Sequence, residues 1–404
     1  MSKITSRERL IAAMRYQEPD HVPLIFNVFG FEPPAWLAWA NEYEEAQRWL
    51  SLDVDAVLSL YPPFTFHPEV TVRSWEEQVP GERWPLMVKE YQTPAGPIRQ
   101  EVYRTEDWIS SEWPTHKHGA QEVQLIDDFN VVRSRRFAVE TEADVERIRY
   151  LLWPPTDETI ASFRERVAGV SRQAQELGVL VESTVSMGTD MATWLCGTQG
   201  MLYMALDRPE LFQRLLDIIH ERDKRVEEVV LDSPVELVVR RGWYEGAAFW
   251  SPALFHDLFL PRIKELTTMA HQAGRLMGYI MSTGFMPMLA YLVEAGYDVH
   301  YYIDPVQGGP GADLRKVKQA FNKKVAVVGG INSAVTLEQG SPQEIRQAVF
   351  DAIDILAPGG GFILSPVDCI FGSTPWANIE ILIQAWKEAR DYPLQPRRAE
   401  AQHA

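Results

Sequence analysis

Arg275-Leu-Met-Gly-Tyr-Ile-Met281, Tyr297-Asp-Val-His-Tyr-Tyr-Ile303, Lys323-Lys-Val-Ala-Val-Val-Gly329 and Gly360-Gly-Phe-Ile-Leu-Ser-Pro366 decide the fold. Each is a short apolar run, and each ends in a polar or glycine-rich corner before a helical stretch begins. Repeated switching from strand to helix period is the mark of a parallel α/β sheet, and of a barrel when the sheet closes. Chemistry in such barrels sits at the C-terminal ends of the strands. The corner residues Met281, Ser282, Thr283, Asp304, Gly329, Gly330, Asn332 and Asp368 are therefore the first candidates for function.

Working outward, four more runs complete the set. Residues 22–28 and 54–60 read as the first two strands, 178–184 as a third with Glu182 near its end, and 235–241 as a fourth. Eight strands in this length predict a (β/α)8 TIM barrel. Thr5 and Glu8 have capping-box spacing at the head of a short helix, which the turn at 17–20 stops. Further helices are expected near 35–50, at 157–177 and over 197–231. The rhythm changes between 61 and 136, a stretch rich in Trp, Pro and His. A hairpin around Pro94-Ala-Gly96 marks it as an antiparallel β-rich insertion after strand two, placed to cover the barrel mouth. The domain reading is one barrel over 1–392 carrying this cap, with 393–404 a disordered polar tail.

Composition narrows the partners. A 404-residue chain that is 46% hydrophobic and 24% charged has ample core for a globular protein. Its net charge of −17 disfavours nucleic acid and anionic membranes, whose phosphates would be repelled. No apolar run reaches the roughly 20 residues that span a bilayer. The opening residues lack the apolar core of a signal peptide. Two cysteines, Cys196 and Cys369, are too few for a disulfide framework, so the expectation is the reducing cytoplasm.

Among chemistry-bearing residues, Glu182, Glu245, Asp304 and Asp368 each fall at or just past a strand end, where barrel strands converge. The plain alternative is that one or two of them form structural ion pairs with Arg240 or Arg241. Gly329 and Gly330 follow strand seven, where backbone N–H groups can meet an anion; the alternative is a tight turn. His116 and His118 alternate in the insertion and read as a solvated pair. No metal-binding spacing of Cys or His occurs. Trp243 and Tyr244 follow strand four, and Tyr279 and Tyr302 lie on strands five and six. They serve either the core or an apolar, planar ligand.

These motifs, in order, resemble the uroporphyrinogen decarboxylase superfamily. The resemblance rests on Thr5-Ser-Arg-Glu-Arg-Leu-Ile-Ala-Ala-Met with Glu18-Pro-Asp-His-Val-Pro23, and on Trp250-Ser-Pro252 with Phe259-Leu-Pro261. Gly329-Gly-Ile-Asn332 and Ile363-Leu-Ser-Pro366 with Thr374-Pro-Trp-Ala-Asn378 complete it. The superfamily fold is a TIM barrel, in agreement with the strand count. Its decarboxylases hold a porphyrinogen with an Arg-Gln-Ala-Gly-Arg segment after strand one. Here that stretch is Asn27-Val-Phe-Gly-Phe31, without positive charge, and the decarboxylase aspartate after strand two matches about Leu60.

The other branch transfers methyl groups among methoxy or methylamine donors, corrinoid proteins and thiols, with zinc held by His-x-Cys-Gly after strand five and a cysteine after strand eight. Those positions look like Met281-Ser-Thr-Gly284 and Asp368, so zinc is not supported. The resemblance implies an enzyme of the methyltransferase-like branch, with a small or aromatic substrate and a corrinoid (methylcobamide) or its carrier protein as partner. Asp304, Asp368 and Glu182 are the expected catalytic groups. Asn27, Arg240, Arg241, Trp243, Tyr244, Glu245, Tyr279, Met281, Ser282, Thr283, Tyr302, Gly330 and Asn332 are expected to contact substrate, an arginine there orienting any anionic group. The alternatives are a decarboxylase or lyase acting on a small carboxylic acid, and a corrinoid-binding barrel without chemistry.

Overall fold

A computed structural model of the protein describes residues 4–106 and 123–395. Its strands, in chain order, are β1 (Val28–Phe29), β2 (Val57–Leu60), β3 (Thr71–Glu77), β4 (Leu86–Thr93), β5 (Gly96–Tyr103), β6 (Ser134–Arg136) and β7 (Leu180–Ser186). They continue with β8 (Leu237–Arg241), β9 (Leu276–Ile280), β10 (Val299–Ile303), β11 (Ala326–Asn332), β12 (Phe362–Val367) and β13 (Ile370–Phe371). Seven of them form one sheet in the order β12-β11-β10-β9-β8-β7-β2, with parallel registers. Helices separate successive strands, and Asp157–Leu177 has the bounds the sequence predicts. Every residue of β10, β11 and β12 is buried. Strands covered on both faces read as continuous apolar runs, which is why the last third was so legible. Among the described residues no helix is long and apolar enough to cross a membrane.

The first strand is less regular than its sequence suggests. Only Val28–Phe29 is extended in a ladder, paired in parallel with β13. Residues 23–25 nonetheless take the eighth strand position. The Leu364 N–H donates to Pro23 O (2.8 Å), the Ile25 N–H to Leu364 O (3.1 Å), and the Asp55 N–H to Leu24 O (2.8 Å). Pro23 has no N–H to give, and the Leu24 N–H turns instead to the Asp55 carboxylate at 3.3 Å. The strand order is that of a (β/α)8 barrel.

The chain divides into two units. The first comprises residues 1–58, 172–181 and 278–404. Its helix Ser6–Met14 carries the Thr5–Glu8 capping box in both directions. On the same helix Arg9, 5% exposed, gives Nε to Asp20 Oδ1 (2.7 Å) and Nη1 to Asp55 Oδ1 (2.6 Å). The opening motif therefore anchors the chain around residues 20–55 through an ion-pair network that is buried at Asp55 and partly exposed at Asp20.

The second unit comprises residues 59–171 and 182–277. It holds a separate antiparallel sheet, β3-β4-β5-β6, inside the stretch the sequence marks as an insertion. The β4–β5 register closes with Thr93 opposite Gly96, and Thr93 Oγ1 ties the turn by donating to Gly96 O at 2.7 Å. Met87, Val102 and Val123 form a small core beneath this sheet, with Phe129 packed against it. His116 and His118 lie outside the described residues, as do positions 396–404 of the expected tail.

Candidate active site

In the first unit the ends of β9, β10, β11 and β12 supply the residues singled out in the sequence. Asp304, just past β10, is fully buried. Its Oδ1 accepts the N–H groups of Val306 (2.6 Å) and Gln307 (3.0 Å), and its Oδ2 accepts Asn332 Nδ2 (2.7 Å). Three donors fix the carboxylate in one orientation. Burial still outweighs them and leaves its pKa raised. Asn332 is locked in turn, because its Oδ1 caps the following helix through the Val335 N–H at 2.6 Å.

Asp368, one residue beyond β12, is only partly exposed. Burial first, and the charge of Asp304 second, push its carboxyl up to about 6. Two carboxylates that sense one another at converging strand ends make a group able to take or give a proton near neutral pH. Asn27 donates to the Asp368 carbonyl at 3.3 Å and to Cys369 Sγ at 3.1 Å, tying the first strand to this corner.

The end of β9 is set from behind. Buried His300 gives Nε2–H to Met281 O (2.9 Å) and accepts the Tyr297 hydroxyl on Nδ1 (2.7 Å). Burial lowers His300 to about 4, so it stays neutral in that tautomer. The sequence reading passed over this histidine; its only signal was a polar residue in a run where every neighbour is apolar or aromatic. Met281 and Ser282 are buried beside it in sequence, while Thr283 is half-buried. Tyr279 packs its ring 5.3 Å from Tyr297.

Tyr302 sits at φ +73°, where the β10–β11 register shifts between Tyr301 and Ile303. A tyrosine in the left-handed region is strained, and the bulge redirects the chain just before Asp304. Gly330 lies inside β11 rather than after it, opposite Ser365. Its φ of +98° strains any side chain, and a Cβ there would stand 3.0 Å from Ala352 and 3.3 Å from the Phe362 ring, so backbone conformation and close packing together explain glycine. It lines a groove of about 570 Å³ with Pro305, Asp313, Lys316 and Asp351.

In the second unit the strand ends carry paired charges. Arg240 and Glu245, 3% and 0% exposed, form a bidentate pair at 2.5 and 2.7 Å. The Thr189 N–H donates to the same Glu245 Oε1 at 3.1 Å. Gly188 makes room for this, since a Cβ there would meet Glu245 Oε1 at 2.5 Å. Arg241 gives Nε to buried Asp190 at 2.8 Å, and Tyr244 gives its hydroxyl to Asp128 at 3.0 Å. Burial raises Asp190 to about 7 against the lowering charge of Arg241. Glu182 accepts the Ser59 hydroxyl at 3.2 Å, and Trp243 is half-buried. The partners Asp190 and Asp128 were missed in the sequence, being remote from β8 along the chain.

The strand-end positions do not fit zinc. Met281, Thr283 and Asp368 offer a thioether, a hydroxyl and one carboxylate, whereas a zinc site wants thiolates and imidazoles. Among the described residues no three His, Cys, Asp or Glu side chains group to hold a metal. Burial pushes the Cys196 thiol well above its ordinary range, so it too is a poor ligand.

A family model described as uroporphyrinogen decarboxylase matches residues 132–389. Among solved structures, a methyltransferase from Methanosarcina mazei aligns with a TM-score of 0.54 at 15% identity, over 95% of this chain and 99% of that one. The likeness is one of fold. A putative vitamin-B12 independent methionine synthase from Listeria monocytogenes aligns at TM-score 0.36 and 14% identity, over 55% and 69% of the two chains. A 3-keto-D-glucoside 4-epimerase from E. coli aligns at TM-score 0.36 and 12% identity, over 60% and 94%. No curated protein matches the sequence.

Proposed function

The chain belongs to the uroporphyrinogen decarboxylase family, and from that premise we propose that it is a cytoplasmic enzyme that transfers a methyl group to or from a small or aromatic substrate. The observation that carries this reading is Asp368, held near a pKa of about 6 by burial and by Asp304. Methyl transfer to an O–H or S–H acceptor releases one proton. A carboxylate of that pKa is largely ionised at pH 7 and can take it; in reverse, the same group protonates the leaving heteroatom. Asp368 thus does by proton transfer what a zinc ion does by binding a thiolate. Asp304 tunes Asp368, and Asn332 holds Asp304. Ser282 and Thr283 are the hydrogen-bond partners for substrate, and Glu182 is a further proton carrier. The proposed methyl donor is a methylcobamide, free or on a carrier protein. The domain reading, a barrel over 1–392 with 61–136 inserted, belongs to the same proposal.

Decarboxylation of a small acid is the weaker reading. Two neighbouring carboxylates disfavour a third brought by the substrate. The test is a titration of purified protein with methylcobalamin and a panel of phenols and thiols. Loss of the Co–methyl absorbance is expected, slowed about 10²–10⁴-fold by Asp368→Asn. A spectrum unchanged with every acceptor, or full turnover by the variant, would sink the proposal. Carbon dioxide released from candidate acids would favour the weaker reading.

A further inference from the structure

Three side chains of the second unit converge on a single carboxylate. Asp128 begins the short helix Asp128–Val131 of the inserted stretch. Its Oδ1 accepts the indole N–H of Trp194 and the hydroxyl of Tyr244, the latter at 3.0 Å. Its Oδ2 lies 3.6 Å from Arg241 Nη2. The guanidinium in turn sits 5.1 Å from the centroid of the Trp194 ring. A flat cation, an indole N–H and a phenol aimed at both oxygens of one carboxylate make a carboxylate receptor.

The receptor is built rather than incidental. Arg241 is also held by Asp190, through Nε at 2.8 Å, and Asp190 is fully buried. The second oxygen of Asp190 has no hydrogen-bond partner, and neither has the neighbouring Thr189 hydroxyl. A buried carboxylate left half-satisfied is a cost that the fold bears where it fixes a cation in place. Asp128 is the opposite case. Its side chain is 51% exposed, and its contact with Arg241 is longer than a direct hydrogen bond. The receptor is anchored from behind, and its occupant faces solvent.

We propose that Arg241, Tyr244 and Trp194 form a binding site for the carboxylate of a small molecule, and that Asp128 occupies it as an internal stand-in which the ligand displaces. The site does not depend on methyl transfer being the reaction. An incoming carboxylate receives the same three donors, and Asp128 leaves to water. Because Asp128 competes, the apparent affinity of the intact protein is lowered by the fraction of molecules in which it is bound.

The test titrates benzoate into the full chain by calorimetry, with neutral benzamide as control. Benzoate binds and benzamide does not. Asp128→Ala tightens benzoate about tenfold or more, because the competitor is gone. Tyr244→Phe weakens it several-fold, and Arg241→Gln abolishes it. Should Arg241→Gln fail to fold, with Asp190 left unpaired, Tyr244→Phe in the Asp128→Ala background reads the same donor set. The proposal is overturned if Asp128→Ala binds benzoate no better than the native protein, if benzamide binds equally, or if no variant binds benzoate saturably; Asp128 is then an anchor for its helix and nothing more.

Discussion

The strand ends of the two units solve the problem of buried charge in different ways. In the second unit both arginines at the end of β8 have an opposite partner: Arg240 with Glu245, Arg241 with Asp190. In the first unit the carboxylate of Asp304 is held by two backbone N–H groups and an amide, and Asp368 feels another negative charge. Ion pairing holds the guanidinium groups in place and so builds recognition surfaces. Neutral donors and like charge leave a carboxyl poised between states, which is what proton transfer needs. The β8 arginine pairs are suited to holding a ligand, the Asp304–Asp368 corner to moving a proton.

The largest effect should come from breaking the pairing. Arg240→Met leaves the Glu245 carboxylate buried without its bidentate partner. We expect a loss of about 3–5 kcal/mol in urea unfolding, with much of it recovered when Glu245→Leu is added. A single variant costing less than about 1 kcal/mol would mean that water reaches the pair, and the contrast between the units would fail.

How much of this contrast the sequence carried depends on chain distance. Strands buried on both faces announced themselves, and with them the corners Asp304, Asp368 and Asn332. Glu245 was readable as a partner of Arg240 because only a short loop separates them. Asp190 stands 51 residues before Arg241 and opens a helix of ordinary composition, so no local pattern points to it. Asp128 lies in an insertion whose own rhythm says nothing about what it touches. The first strand misled for a subtler reason: Pro23 and the Asp55 side chain replace ladder bonds that an apolar run would otherwise predict. Gly330 suggested a turn because glycine usually marks one, yet here it lets Ala352 and Phe362 approach a continuing strand.

The next effect tests a carboxyl left without either solution. Glu227, on the helix Pro209–Leu231 of the second unit, is fully buried, and neither carboxylate oxygen has a hydrogen-bond partner. Burial first, then the charge of Asp223, raise it to about 8. A carboxyl raised in the folded state contributes stability below its ordinary value and loses it as pH rises through the folded one. Between pH 6.5 and 8 the native protein should therefore lose about 2 kcal/mol that Glu227→Gln does not lose. The buried histidines do not confuse this window, since burial lowers His21 to about 3 and His300 to about 4. Parallel stability–pH curves for the two proteins would show that Glu227 has found a partner after all.

The smallest effect goes to the heart of the comparison. Asp304→Asn keeps a side chain that can still accept the Val306 and Gln307 N–H groups, but removes its negative charge. Burial is the larger cause of the raised Asp368 pKa and remains; only the second cause disappears. The pKa should fall from about 6 toward the ordinary carboxylate range by up to about one unit, without reaching it. As a base in the forward direction, Asp368 works when ionised, so the acid limb of the pH–rate profile should move down by the same amount. Turnover near pH 7 should fall only modestly, because a weaker base replaces a better-matched one. If the limb does not move, the two carboxylates do not sense each other, and the first unit's corners are no more poised than the paired charges of the second.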